Sequence, residues 1–290
     1  GKVLNSGFES EIMLRHKKGD FSYRLTANFS TLHNEVLELK NPIYGGRIDN
    51  GVYATKTEEG HPIGSFFLYE MEGIFQDEVE IVTHAYQGSD IKPGDVKFKD
   101  QNGDGTIDSE DRVHVGSAVP DFIGGLGLNA EYKNFDAYLF VQGVYGQEIY
   151  YQIATDIEGF YRPFNLTMRY YNERWTGEGT SDTQPRASWA AKSNNARAST
   201  RFLEDGSYLR LKALQVGYNF PESWLKRISV KQLRIYFSGL NLYTLTRYPG
   251  LDPEMTTSNN STSEGDRAAN IDWGTYPRSV SYNVGLQLKF

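Results

Sequence analysis

The 290-residue chain is long enough for one large all-β domain or two small ones. Its formal net charge of −7 argues against nucleic acid as a partner, and the lack of Cys excludes disulfides and thiol chemistry. No segment approaches the roughly 18 consecutive apolar residues of a membrane-spanning helix. Aromatic residues make up 14% of the chain, a content typical of β-sheets and of the aromatic girdles of membrane barrels.

Seven segments alternate apolar and polar residues, and period two predicts β-strands. In chain order they are residues 7–16, 21–30, 122–132, 135–145, 208–220, 233–245 and 278–290. Short turns at residues 17–20 and 133–134 predict two hairpins. In the fifth segment the alternation changes phase, which predicts a β-bulge near Ala213.

Two of these strands indicate which face is apolar. The predicted outward side chains of residues 122–132 and 135–145 are Phe122, Leu126, Leu128, Ala130 and Tyr132, followed by Phe135, Ala137, Leu139, Val141 and Tyr145. The last segment ends with Phe290 on its apolar face, as strands of bacterial outer-membrane barrels do. A half-buried strand of an ordinary soluble sandwich is the alternative interpretation of that segment.

The connections between the seven segments alternate in length. Residues 17–20, 133–134 and 221–232 form short connections, whereas residues 31–121, 146–207 and 246–278 form long ones. Short periplasmic turns and long extracellular loops are typical of membrane barrels. If Phe290 lies at the periplasmic rim, every long connection is extracellular. Bacterial barrels have even strand numbers from about eight upward, so we expect the remaining strands upstream or on another chain.

Residues 100–111, with the sequence DQNGDGTIDSED, match a calcium-binding loop of the EF-hand type. Its oxygen ligands would come from loop positions 1, 3, 5, 7, 9 and 12, and Gly105 occupies position 6, where the loop turns sharply. The candidate ligands are Asp100, Asn102, Asp104, the backbone carbonyl of Thr106, Asp108 and Asp111. The EF-hand pattern has Glu at the twelfth position, and Asp111 there resembles the dockerin variant. An acidic, glycine-rich solvated turn without metal is the alternative.

The chain resembles the C-terminal barrel of the SusC/RagA family of TonB-dependent transporters. The resemblance rests on residues 64–76 (GSFFLYEMEGIFQ), 93–100 (PGDVKFKD), 141–146 (VQGVYG), 207–218 (SYLRLKALQVGY) and 238–253, which follow one another in the family's order. It implies a transmembrane barrel of 22 strands in the outer membrane. It also implies a SusD-like surface lipoprotein as partner, energy from TonB and import of oligosaccharides or oligopeptides. The family's plug domain and TonB-contacting segment lie toward the N-terminus and match nothing here.

We therefore expect residues 1–290 to form the C-terminal part of an importer, with structural Ca²⁺ in an extracellular loop and no enzymatic activity. Residues 1–7 lack the apolar core of a secretory signal, so we expect either a processed chain or part of a longer one. A passive porin or a surface adhesin barrel is the first alternative function. A soluble calcium-dependent binding module is the second. Aromatic clusters in the long connections predict loop packing, with stacking on sugars or peptides as the alternative.

Overall fold

The structure is a computed structural model that describes residues 1–49, 51–226, 230–255 and 264–290. The strands within these ranges are β1 (Lys2–Ser6), β2 (Glu9–Lys18), β3 (Phe21–Thr31), β4 (His33–Glu38), β5 (Ile43–Asp49), β6 (Val52–Thr57), β7 (Ser65–Tyr69), β8 (Met71–Ile74), β9 (Val96–Phe98), β10 (Arg112–Gly116), β11 (Phe122–Tyr132), β12 (Phe135–Tyr145), β13 (Glu148–Tyr150), β14 (Leu203–Asp205), β15 (Tyr208–Asn219), β16 (Gln232–Thr246) and β17 (Ser281–Lys289). The α-helices are α1 (Glu78–Thr83), α2 (Gln152–Glu158), α3 (Met168–Glu173) and α4 (Glu222–Leu225). No helix in these ranges has the length and apolar character needed to cross a membrane.

One seven-stranded antiparallel sheet has the order β17-β16-β15-β12-β11-β3-β2. Its members are the seven strands that the alternation predicts, which confirms the prediction to within a few residues at each end. Both predicted hairpin turns are present, with Gly19 at a φ of 59° and Lys133 at a φ of 52°. Because sheet order follows chain order, the three long connections all lie at the same end of the sheet.

The two faces of this sheet differ in polarity along whole rows of paired residues. One such row runs across the sheet through Leu14, Leu25, Leu128, Leu139 and Leu214. The next row on the opposite face consists of Arg15, Arg24, Asn129, Tyr138 and Gln215. The apolar rows confirm the predicted outward face and form one contiguous surface. Such a large apolar surface is normally shielded from water, and in a membrane barrel lipid shields the outer face of the wall.

The predicted bulge lies in β15. The pairing of β15 with both neighbouring strands shifts between Leu211 and Ala213, so Lys212 has no opposite residue in either ladder. In β16 the same break spans Asn241, whose φ is 52°. The extra residue keeps Leu211 and Leu214 on the same apolar face although they are three positions apart.

The sheet is not closed within the described residues. Strand β2 pairs only with β3, and β17 pairs only with β16. A barrel that contains these seven strands therefore needs further strands at both edges, as the strand count predicts.

The long connections fold together into a second layer rather than remaining irregular. The first connection forms a four-stranded sheet of order β10-β7-β6-β5, and β13 pairs with β14 in the second. A shared core joins residues of all three connections: Phe66, Leu68, Ile149, Tyr150, Phe202, Tyr248 and Ile271. Burial of these side chains confirms that much of the aromatic content serves to pack the loops.

Candidate metal site and its surroundings

The calcium-type loop connects β9 to β10 at the edge of the second layer. Its centre pairs with the segment that follows α1: Tyr86 N donates to the Gly105 carbonyl at 2.8 Å, and Ile107 N donates to the Tyr86 carbonyl at 2.8 Å. Ile107, at loop position 8, is 4% exposed and packs with Val96 and Phe98. The loop is thus attached to the fold by its one apolar residue and by two backbone hydrogen bonds.

The first half of the loop consists of turns closed by its own side chains. Asp100 accepts hydrogen bonds from Gly103 N at 2.7 Å and Gly105 N at 2.9 Å. Asp104 accepts from Thr106 N at 2.8 Å, and the Asn102 carbonyl oxygen accepts from Asp104 N at 3.0 Å. Gly103 and Gly105 have φ values of 74° and 83°, which favour glycine. Side-chain oxygens at alternate positions therefore already control the path of the backbone.

Asp111 closes the loop from its far end. Its side chain is fully buried, and its two oxygens accept hydrogen bonds from Gln101 N and Asp108 N, both at 2.8 Å. Asp108 in turn accepts from Glu110 N at 2.8 Å and caps the short 3₁₀ turn at Ser109–Asp111. One carboxylate therefore joins the first and last turns of the loop.

The predicted ligands lie together on this loop, and they are the hard oxygens that calcium prefers. Their carboxylates are turned toward backbone amides of the loop. Among the described residues, one group of three His, Cys, Asp or Glu side chains brings one potential ligand atom from each within 4.8 Å of the others, and that group lies elsewhere. Calcium at residues 100–111 would therefore have to draw the oxygens of this loop inward.

That group consists of Glu58, His61 and His114, which sequence spacing does not bring together. The rings of His61 and His114 stack with centroids 3.7 Å apart and planes 12° from parallel. His114 Nε2 lies 2.6 Å from Glu58 Oε1, and its Nδ1 lies 2.6 Å from Ser65 Oγ. Nitrogen lone pairs lie in the plane of the imidazole ring, so those of two parallel stacked rings do not converge on one ion. The group therefore fits a hydrogen-bonded contact better than a metal site.

Burial and neighbouring charges shift the pKa values of His114 and Glu58. Burial lowers the pKa of His114, and the hydrogen bond to Glu58 only partly offsets this. Burial raises the pKa of Glu58, but hydrogen bonds and charges from Lys56 and His114 outweigh it, and the net pKa is lowered. The contact therefore favours neutral His114 beside ionised Glu58.

Known proteins resemble this chain in sequence over its whole length. No family model matches the chain. The TonB-dependent receptor P3 of Formosa agariphila is 33% identical over 296 residues, which cover 100% of this chain and 29% of that protein. The TonB-dependent receptor SusC of Bacteroides thetaiotaomicron is 27% identical over 305 residues, covering 100% of this chain and 27% of SusC. The chain is therefore similar over its whole length to a segment of TonB-dependent receptors, SusC among them.

Solved structures agree with the fold of this chain. The RagAB peptide transporter matches with a TM-score of 0.74 and 22% identity over 99% of this chain and 29% of that chain. The RagAB peptide importer in its closed-closed state matches with a TM-score of 0.73. At this identity the match establishes the fold alone. The chain spans less than a third of the length of these relatives.

A charge network that the sequence analysis did not identify holds the third long connection against the seven-stranded sheet. Arg210 of β15 is 2% exposed and lies 2.6 Å from both Asp252 and Glu254. Lys212 and Arg278 contact Glu254 at 2.6 Å and 3.0 Å. The signal available in the sequence is the pair of basic residues, Arg210 and Lys212, on the face opposite the leucines of β15.

Proposed function

We propose that this chain forms part of the barrel wall and outer loops of a TonB-dependent importer in the bacterial outer membrane. Its similarity over its whole length to proteins named TonB-dependent receptors is the observation that carries the proposal. The contiguous apolar face of the seven-stranded sheet suits a lipid-facing wall. The relatives are named as receptors, and we assign the chain no catalytic role.

The joined long connections support a role in handling substrate at the outer surface. They pack into one layer over one end of the sheet, and that layer is where a surface lipoprotein of the SusD type would contact the barrel. SusC is the name of one relative, and RagAB is described as a peptide transporter and importer. We therefore propose oligosaccharides or oligopeptides as substrates and a SusD-like protein as partner.

A structural calcium ion in residues 100–111 is part of the same proposal. The loop supplies the residue types and spacing of the EF-hand pattern. Carboxylates in so short a segment repel one another, and a divalent cation would offset that repulsion.

The test is uptake by cells that carry the complete transporter. Cells with and without functional TonB are supplied with fluorescent oligosaccharides and oligopeptides, and accumulation is measured over time. Uptake that requires TonB is expected. Equal entry in the absence of TonB would identify a passive porin and refute the proposal. Absence of any uptake together with binding to host surfaces would identify an adhesin.

Membrane location is tested separately by fractionating cells and extracting the envelope with detergent. We expect the protein in the outer-membrane fraction and soluble only in detergent, because the apolar face of the sheet needs lipid. A protein that is monodisperse in plain buffer would instead support a soluble calcium-dependent module.

A further inference from the structure

The loop layer contains a cavity whose wall includes two arginine residues. Its volume is about 350 Å³, at the lower end of the range for ligand pockets. It lies between the first and second long connections, with Tyr69, Arg112, Ser193, Asn194 and Arg197 among its lining residues. No Asp or Glu is among the described residues that line it. The cavity therefore presents positive charge without a carboxylate in its wall.

Two guanidinium groups supply that charge. Arg197 lies over the rings of Tyr69, at 4.6 Å, and Phe98, at 5.4 Å. Arg112 lies 4.8 Å from the centre of the Phe67 ring, and its Nε donates to the Phe67 carbonyl at 3.1 Å. Aromatic faces and carbonyl groups hold a guanidinium in place and leave its positive charge uncancelled. The carboxylates of Asp111 and Asp108 also act on the charge of Arg197, but neither lines the cavity. Both guanidinium groups are thus fixed in position and able to bind an anion there.

The phenol of Tyr69 lies within range of both charges. Burial raises its pKa, and the charges of Arg197 and Arg112 act in the opposite direction. Asp108 and Asp111 of the calcium-type loop also act on this phenol. These two carboxylates accept hydrogen bonds from amides of their own loop and do not line the cavity.

Ser193 provides an indication of ligand binding that is independent of the two arginine residues. The residue is 8% exposed, and its Oγ has no hydrogen-bond partner among the described residues. A buried hydroxyl left without a partner costs about 1–3 kcal/mol. This one lines the cavity, where a bound acceptor would satisfy it.

We propose that the cavity binds a carboxylate group of the imported molecule, held by Arg197 and Arg112 and accepting a hydrogen bond from Ser193. The proposal rests on the proposed function in one respect, that the ligand is part of the transported substrate. An acidic sugar and an acidic amino-acid residue both present this group. The imported molecule thus belongs to the class of anionic substrates.

The test is calorimetric titration of the complete transporter in detergent with D-glucuronate, N-acetyl-L-aspartate and uncharged D-glucose. We expect saturable binding of at least one acid and none of glucose, and the preferred acid distinguishes a sugar from a peptide source. Arg197→Gln and Ser193→Ala are each expected to weaken that binding about tenfold or more, the effect of losing a hydrogen bond to a charged group.

Ser199→Ala is the matched control. Ser199 is likewise buried and has an unpartnered Oγ among the described residues, but it does not line the cavity. We expect this variant to bind like the wild type, and thermal unfolding in detergent verifies that each variant is folded. Binding of neither acid, equal binding of glucose, or equal effects of Ser193→Ala and Ser199→Ala would overturn the proposal. TonB-dependent uptake of a neutral oligosaccharide would leave the proposed importer intact even then.

Discussion

Replacement of Asp111 by Asn tests whether this carboxylate holds the acidic loop together without metal. The wild-type side chain is fully buried and accepts from two backbone amides, Gln101 N and Asp108 N, each at 2.8 Å. Asn offers one carbonyl oxygen and an NH₂ group that cannot accept a hydrogen bond, so it can satisfy only one of these amides. The unsatisfied amide costs about 1–3 kcal/mol, which corresponds to about a 5- to 150-fold increase in local opening.

Hydrogen–deuterium exchange of the complete transporter in detergent, with a calcium chelator present, measures this opening. The amides of residues 101–108 are expected to exchange faster in Asp111→Asn by that factor. Glu110→Gln is the control, because it changes the neighbouring acid, which is exposed. Equal exchange in the two variants would refute the inference that Asp111 joins the two ends of the loop.

Three further predictions concern the loop, the histidine contact and the charge network. With calcium present, Asp104→Ala is expected to increase protease sensitivity over residues 95–115, because one proposed oxygen ligand is lost. As pH falls below about 6.5, contacts around His114 are expected to weaken: its folded-state pKa is lowered, so an opened state binds a proton that the folded state excludes. Arg210→Met is expected to destabilise the attachment of residues 247–255 by about 3–5 kcal/mol, because it leaves the buried carboxylate of Asp252 without its ion-pair partner; faster hydrogen exchange there measures the effect.

Each of these predictions has a result that contradicts it. If Asp104→Ala and wild type are cleaved equally with and without chelator, calcium does not order the loop. His114→Gln should flatten the pH dependence of exchange in β6, β7 and β10, and an unchanged profile would mean that another group titrates. Arg278→Met is the control for Arg210, since Arg278 is a more exposed member of the same network. An equal effect of both variants would mean that burial of Arg210 contributes nothing.

The wall of the molecule was predictable because each strand carries its own pattern. Alternation identified all seven long strands, and the change of phase predicted the bulge near Ala213, within one residue of Lys212, from one strand alone. The second layer was not predictable in this way. Some of its strands, such as Val96–Phe98 and Glu148–Tyr150, are only three residues long and pair across large sequence separations. A period needs several repeats before it can be recognised.

The candidate sites also differ in whether their residues are close together in the sequence. The calcium-type loop was found because its ligands lie within 12 consecutive residues. The contact of Glu58 and His61 with His114 forms only when β7 pairs with both β6 and β10. The cavity likewise requires Arg112 and Arg197 to meet across two long connections. Contacts between residues that are far apart in the sequence have no characteristic local spacing, so a sequence pattern does not predict them.

Because of the bulge at Lys212, the face on which each side chain of β15 lies depends on the exact number of residues in the strand. With the extra residue, Leu209, Leu211, Leu214 and Val216 share one face, and Arg210 can reach Asp252 on the other. Loss or gain of one residue in the regular alternation on either side of the bulge would turn one half of the strand inside out. Through evolution such a strand can exchange side chains freely within each face, but it can gain or lose residues only together with its neighbours. Insertions and deletions are therefore expected to accumulate in the loop layer and to be rare in the wall.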